Sequence, residues 1–374
     1  MNTVKSVLIV GGGIAGMSTA IQLRKRGVAV DLVEMDPEWR VYGAGITIGG
    51  AALRAFKTVG VLPEVVAQGW CSDGCDLCAP NGTVLATLPT PRIAGPETPG
   101  SGGILRPVLA RILSKATLAS GTAVKLGVTF TQIEPGDSAV DVSFTDGSRG
   151  RYDLLVGADG LYSKVRSSVF PEAPKPRYTG QGCWRAVVPR PPEITSASMF
   201  MGRVTKAGLN PVSADEMYLF CLDHRELNER IPEDQWTRIL TGMLAEFSGA
   251  VGQLRDGLNA HSRILYRPLE AVLLPPPWHH GRVVLTGDAA HATTPHLASG
   301  AAISVEDAIV LVEELERAAS LESALTAYVA RRFARCRMVV ENSLRLGEIE
   351  ITGGSKDEHE QVMRDSMIAL LAPI

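Results

Sequence analysis

The sequence predicts a mixed α/β fold, with a β-rich second domain interleaved into the first and helices closing the chain. Three observations carry this. A short apolar strand, residues 4–10, runs straight into Gly11-Gly12-Gly13-Ile14-Ala15-Gly16 and a helix, as parallel strand–helix–strand units do. From residue 178 to about 268 the pattern changes to extended segments rich in β-branched and aromatic residues. After Pro275-Pro276-Pro277 it returns to an apolar strand, residues 283–286, that ends in Gly287-Asp288 and precedes long helices. The first and third features lie at opposite ends of the chain, so one domain assembled from both ends is expected.

Composition sets the outer bounds. At 374 residues the chain is long enough for two packed domains. With 45% hydrophobic and 21% charged residues it can bury a large core. A net charge of −3 and no Lys/Arg run argue against a nucleic-acid partner. The apolar runs are far shorter than the roughly 20 residues that span a bilayer, so no membrane span is expected. The N-terminus enters a strand directly, without the pattern of a signal peptide; a cytoplasmic location is expected.

Gly11, Gly13 and Gly16 fit G-x-G-x-x-G in a Rossmann-like unit. The first glycine permits the tight turn, the second lets backbone approach a pyrophosphate, and the third lets helix and strand pack closely. A helix over 17–26 stops at Gly27, and a second strand over 28–33 leads to Glu34, 23 positions beyond Gly11. A carboxylate there accepts hydrogen bonds from ribose hydroxyls. The unit predicts a dinucleotide and leaves NAD and FAD open. In the segment from Glu38 to Ile46, Gly43-Ala44-Gly45 permits close backbone approach and Arg40 is within reach of a pyrophosphate.

A helix over 51–60 follows. Residues 70–100 then alternate in polarity like a hairpin, with Asn81-Gly82 as its turn. Cys71-x3-Cys75-x2-Cys78 has the spacing of an iron–sulfur site. The alternation favours buried or edge-strand thiols instead, and no metal centre is expected. Arg106 opens a helix over 107–119, with Pro107 at its first position. Strands are expected at 122–126, 128–134 and 139–145. Asp159-Gly160 then ends another strand before a helix. One polar helix is expected at 232–247, and long ones at 301–318, 324–347 and 356–371. The expected division is 1–70, 101–175 and 269–345 for a nucleotide-binding domain, 71–100 and 176–268 for a β-rich substrate domain, and 346–374 for a C-terminal helical segment.

The Gly287-Asp288 turn offers one carboxylate. The helix opening near Gly300 offers free backbone N–H groups, and the small residues around it leave room for a flat ligand.

Three motifs thus stand in order: GGGIAG with Glu34, LLVGADGLYSKVR, and LTGDAAHATTPHLASGAAISVEDA. Together they resemble the single-component FAD-dependent aromatic hydroxylases of the para-hydroxybenzoate and salicylate hydroxylase type, across nearly the whole chain. The resemblance implies an FAD-binding domain with an interleaved β-sheet substrate domain. Gly11, Gly13, Ile14, Ala15 and Gly16 would hold the FAD pyrophosphate, and Glu34 with Met35 the adenosine. Arg40, Arg106 and Asp159 match cofactor-contact positions. Asp288 would bind a ribityl hydroxyl, Pro295 would line the isoalloxazine, and Ala298, Ser299, Gly300 and Ala301 would present a helix N-terminus to the pyrimidine side of the ring. NADH or NADPH would be a transient co-substrate. Oxygen would add to reduced flavin as a C4a-hydroperoxide and be transferred to a small aromatic or heteroaromatic substrate. A monomer or homodimer is expected.

For activating a phenol-like ring, His296, Tyr218 and His224 are the candidate proton acceptors, beside Pro295. Arg185 or Arg203 is a candidate partner for a substrate carboxylate. His291 is read as organising its loop. One departure stands out: Ala298-Ser299-Gly300 replaces the family's usual Gly-x-Gly, so a Cβ sits where glycine normally allows positive φ. The alternatives are an FAD-dependent oxidoreductase or epoxidase acting on a non-aromatic metabolite, and a non-catalytic FAD-binding protein.

Overall fold

The structure is a computed structural model and describes residues 4–41, 43–203 and 205–374; Tyr42, in the Glu38–Ile46 segment, lies outside them. Its centre is a six-stranded sheet in the order His279–His280, Val283–Leu285, Leu154–Gly157, Ser6–Val10, Ala29–Glu34, Ala123–Leu126. The five longer strands pair in parallel. Ser6–Val10, Leu154–Gly157 and Val283–Leu285 are apolar nearly throughout because both faces are buried, whereas the edge strand Ala123–Leu126 is largely exposed. The strand from late in the chain, Val283–Leu285, sits one strand away from Ser6–Val10. This brings the Gly-Asp turn beside the glycine-rich turn.

The helix Ile14–Arg24 starts three residues earlier than its apolar pattern suggests, directly at the glycine turn. It packs with Gly50–Val59, Arg106–Ala119 and Gly300–Arg317 around Met17, Phe56, Leu113 and Val305. Gly300–Arg317 also packs against the long helix Leu321–Thr352, and together they bury Leu311, Tyr328 and Val339 with Trp278. Each such aliphatic side chain contributes about 1.5–3 kcal/mol on burial. The last helices form where expected, Lys356–Leu371 to the residue. The helix Leu321–Thr352 is longer than expected and runs unbroken through 345/346 to Gly353, whose φ of +63° ends it.

A second, seven-stranded sheet has the order Arg263–Ala271, Arg177–Pro189, Glu216–His224, Lys206–Pro211, Ala197–Met201, Gly74–Cys78, Val84–Pro89. The expected hairpin at 70–100 supplies its last two strands. One face packs Trp184, Leu209, Leu219 and Cys221 against Leu240, Phe247 and Val251. Because strand side chains alternate, Arg185, Val187, Tyr218 and Phe220 face the other way, toward the first sheet. A three-stranded sheet of Gly45–Gly49, Ser101–Leu105 and Trp70–Ser72 lies between. The single helix expected at 232–247 is a 3-10 turn, Glu233–Gln235, continuing into Trp236–Met243. A separate helix, Gly249–Gly257, follows Ser248. The helix Leu62–Gln68 was not expected; its Pro63 lies in the first turn, where proline is tolerated.

Candidate active site

The glycines of the first turn do three different jobs. Gly11 has φ +108°, and a Cβ on it would come within 2.4 Å of Ala158 O. A Cβ on Gly16 would come within 2.0 Å of Gly11 O, so this glycine sets the helix-to-strand packing. Gly13 faces no protein atom within 4 Å, and no side chain caps the helix that starts after it. Its N–H groups are left for a ligand, as at a phosphate cradle. Glu34 accepts from Gly12 N at 2.8 Å and from Asp36 N at 2.8 Å, and Trp39 Nε1 donates to Gly12 O at 2.8 Å. Met35 is exposed beside it. Arg40 is exposed and pairs with Asp36 at 3.0 Å. Asp159 caps the helix Lys164–Val169, accepting from Lys164 N at 2.7 Å and Val165 N at 3.0 Å.

Gly287 has φ +58°, and a Cβ on it would meet that of Ala15 at 2.7 Å, so the Gly-Asp turn presses on the first helix. Its N–H donates to Asp307 Oδ2 at 2.9 Å. Asp307, fully buried, also contacts His291 Nε2 at 2.5 Å and accepts from Arg332 Nε at 2.8 Å. Burial opposes ionisation of Asp307, but His291 and Arg332 outweigh it and hold its pKa at about 2. His291 is likewise opposed by burial and carried well above its ordinary value by Asp307 and Cys336. His291, Asp307 and Cys336 place metal-ligand atoms within 4.8 Å of one another, but the Arg332 guanidinium already supplies the cation. His291 therefore organises the loop. Buried acids on the apolar helix Gly300–Arg317, Glu306 and Asp307, were missed in the sequence; their signal was two adjacent carboxylates inside AISVEDAIVLV.

Asp288 is open on its cleft side although protein encloses it. That enclosure raises its carboxyl pKa, while His291 and Arg106 act to lower it. Arg106 is half-buried, its Nε has no hydrogen-bond partner among the described residues, and its stem would touch a Cβ on Gly43 at 2.7 Å. Pro295 opens the 3-10 turn Pro295–Leu297. Ala298 follows at φ +49°, so the departure from Gly-x-Gly falls on a left-handed residue. Ser299 Oγ donates to Leu297 O at 2.7 Å, leaving the helix that starts at Gly300 and Ala301 without a side-chain cap.

Gly45 of the three-stranded sheet and Gly208 of the seven-stranded sheet are recessed under aromatic rings: a Cβ would lie 1.9 Å from Tyr218 and 2.1 Å from Phe220. These rings pair at 5.7 Å. Tyr218 Oη lies 2.6 Å from Thr47 Oγ1, which accepts from Asn210 Nδ2 at 2.8 Å. The other candidate bases fare differently. The His296 side chain is buried, its Nδ1 held by Thr294 Oγ1 of its own loop at 2.8 Å and its Nε2 turned to Glu350 of the helix Leu321–Thr352 at 3.5 Å. Burial lowers its pKa and Glu350 opposes this. His224 is exposed at a strand end, and Arg203 is exposed on a loop whose N–H bonds Glu246; neither is brought to the cleft. Glu350, unmarked in the sequence, gathers Lys206, His359 at 3.1 Å and Gln181 at 3.4 Å. Burial disfavours its charge, but His296, His359 and Lys206 reverse this and hold its pKa far below the usual carboxylate range. The three thiols do not form a cluster-binding set: Cys71 and Cys75 lie in different sheets, and burial pushes each up to about 11.

The features fit a flavin dinucleotide: the Gly287 turn presses on Ala15 of the first helix, Asp288 acts electrostatically on Arg106, and the helices starting at Ile14 and Gly300 have no side-chain cap. The family comparison agrees. Residues 5–343 match the FAD binding domain family, and the chain belongs to it; it is an FAD-dependent enzyme of the monooxygenase type. Among its relatives, the aurachin C monooxygenase/isomerase of Stigmatella aurantiaca is 32% identical, covering 93% of this chain and 90% of that protein. The 2-heptyl-3-hydroxy-4(1H)-quinolone synthase of Pseudomonas aeruginosa is 33% identical, covering 92% and 89%. The fold is also that of Klebsiella pneumoniae HpxO, solved with FAD and uric acid: TM-score 0.83, 24% identity, covering 98% of this chain and 92% of that one. Among the described residues no helix is long and apolar enough to cross a membrane.

Proposed function

We propose that the protein hydroxylates a small aromatic or heteroaromatic ring using NADH or NADPH and O2, acting in the cytoplasm as a monomer or homodimer. Bound FAD would supply the redox chemistry, accepting hydride from the nicotinamide and activating dioxygen. Residues 1–70, 101–175 and 269–345 would bind the cofactor, and 71–100 and 176–268 would face the substrate. The observation that carries the reading is the pairing of Asp288's open cleft with a sheet face whose two central side chains, Tyr218 and Phe220, are aromatic rings seated over glycines.

Each residue has a stated task. N–H groups after Gly13 would hold the pyrophosphate, while Asp288 would accept from a ribityl hydroxyl and Arg106 would contact the ring system. The N-terminus at Gly300 and Ala301 would stabilise negative charge on the reduced ring by about 0.3–1 kcal/mol, more when buried. Pro295 and Phe220 would sandwich the substrate space and exclude water. Tyr218 Oη, held by Thr47 Oγ1, to which Asn210 Nδ2 donates, would orient a ring hydroxyl by a hydrogen bond. The relatives named for a monooxygenase and for a 3-hydroxyquinolone synthase support a nitrogen-containing bicyclic ring as a first choice to test.

The test is a screen of phenols, aromatic acids, hydroxypyridines and 4-quinolones for stimulated NAD(P)H oxidation under 18O2. Incorporation of one labelled atom into a product is expected. Stimulated oxidation that yields only peroxide and no labelled product across the screen would contradict the reading.

A further inference from the structure

The inner face of the seven-stranded sheet stays open at one edge. Strand pairing sets two rows of residues across it: Asn210, Tyr218, Val187 and Arg263 in one, Gly208, Phe220, Arg185 and Leu265 in the next. Both rows end on Arg263–Ala271, the edge strand of the sheet. A groove of about 250 Å³ runs there, with Val187, Arg263 and Leu265 on one wall and Gly43, Leu105 and Pro107 on the other. Its inner end adjoins Tyr218. Val187 lies directly across from that tyrosine, and Gly45, two positions from Gly43, sits under its ring. Two strand spacings, about 10 Å, separate Tyr218 from the edge strand.

The walls are apolar, yet they are not packed away. Leu105, Val187 and Leu265 are half-buried and Pro107 is exposed. Leu105, Val187 and Leu265 rest with Phe220 on the small core of Ala44, Val212 and Tyr218, and they line the groove with what remains. Keeping a row of apolar side chains wet forgoes the free energy that a covering partner would release. Arg263 is the one charge on the lining among the described residues, and Glu216 holds it in an exposed ion pair. The groove is thus apolar along its length and charged at its mouth, and it extends the ring site rather than forming a second one.

We infer that the substrate is a ring bearing an apolar chain, and that the chain leaves the ring site along this groove to end beside Arg263 and Glu216. The inference rests on the proposed function and narrows it, from any small ring to an amphiphilic one. Val187 and Leu265 are then the residues that determine specificity for the chain. An apolar groove selects by length and shape: each methylene it covers adds to affinity until the chain reaches water.

The experiment uses holoprotein and probes that differ only in their chain. Ortho-, meta- and para-alkylphenols, from methyl to nonyl, are titrated against the flavin absorbance, beside phenols of equal length whose chains are ethers. For wild type, affinity is expected to rise roughly 3- to 4-fold per methylene in at least one alkyl series, then to level off as the chain reaches the sheet edge. The ether series are expected to gain little. Val187→Phe, which fills the groove, is expected to bind long and short probes alike while keeping its FAD. Leu265→Gln, which keeps the volume but makes the wall polar, is expected to flatten the rise; it carries the comparison if Val187→Phe fails to fold. Holoprotein that is reduced by NAD(P)H yet shows no gain with length, whether it binds the short probes or none, overturns this inference and leaves the proposed function standing. A rise undiminished in both variants overturns it as well. Protein that neither carries nor takes up FAD overturns both.

Discussion

Asp307 and Glu350 anchor two charge clusters on either side of Pro295, and they are built to different rules. Asp307 has no exposed surface, and its partners, His291, Arg332 and the Gly287 N–H, come from one packed core beneath the Gly-Asp turn. Glu350 keeps 19% of its side chain exposed and collects Lys206 from the substrate sheet, His296 from the flavin loop and His359 from the last helix. The first cluster fixes one loop in one place. The second ties together elements from three parts of the molecule, through groups that titrate. The difference teaches that the Gly-Asp turn is fixed by burial within one core, while the Glu350 cluster joins separate elements through partly exposed contacts.

Breaking the first cluster should cost most. Asp307→Asn leaves a charged His291 buried without its counter-ion and Arg332 with Glu306 alone, a loss of about 3–5 kcal/mol. Denaturant unfolding of the purified variant measures it, and a loss no larger than that of Glu350→Gln would erase the contrast.

The two histidines should show opposite pH signs. His291 has a folded pKa raised above the ordinary 6.5, so its contribution is complete below that value and is lost as pH rises through the folded pKa. His296 has a lowered folded pKa. The unfolded chain then takes up the proton first, and stability falls as pH drops below about 6.5. Glu350, depressed, adds stability above its ordinary 4.5 that disappears in acid. Between pH 7 and 5, His296→Asn should therefore lose less stability than wild type, and His291→Asn should gain no such relief. Melting curves across that range check this; parallel curves for both variants would contradict it.

Smallest is the loop between the clusters. Ala298 sits at φ +49°, where a Cβ costs about 1–2 kcal/mol. Ala298→Gly should stabilise the protein by about 1 kcal/mol, less the entropy that glycine returns to the unfolded chain. An unchanged or lower melting midpoint would show that the surrounding turn has absorbed the strain.

These elements were legible to different degrees. The glycine turn, Glu34, the Gly-Asp turn and the last helix were readable because each is specified by neighbours in sequence: a positive φ, a close approach, a cap. Ala298 was readable for the same reason, as a residue type in the wrong conformational region. The substrate wall was not. Tyr218 and Arg185 were named as single candidates, but Thr47, Asn210 and Phe220 come from three further strand positions whose common face with them exists only once the register is set. His224 illustrates the trap: it shares the alternation of Tyr218 and Phe220 but lies at the exposed strand end, so parity alone promoted it. Glu350 lay hidden in a long polar helix, and only the contacts of that helix with the sheet and the flavin loop give it partners.

The central claim is that cofactor and substrate are held by separate residues: backbone turns and Asp288 for one, the sheet face with Tyr218 for the other. Titrating FAD into apoprotein of wild type, Asp288→Ala and Tyr218→Phe, followed by quenching of flavin fluorescence, tests it directly. The account predicts that Asp288→Ala weakens FAD binding by about 10- to 100-fold, the loss of a hydrogen bond to a carboxylate, while Tyr218→Phe stays close to wild type. Full FAD affinity in Asp288→Ala, or an equal loss in Tyr218→Phe, would contradict it.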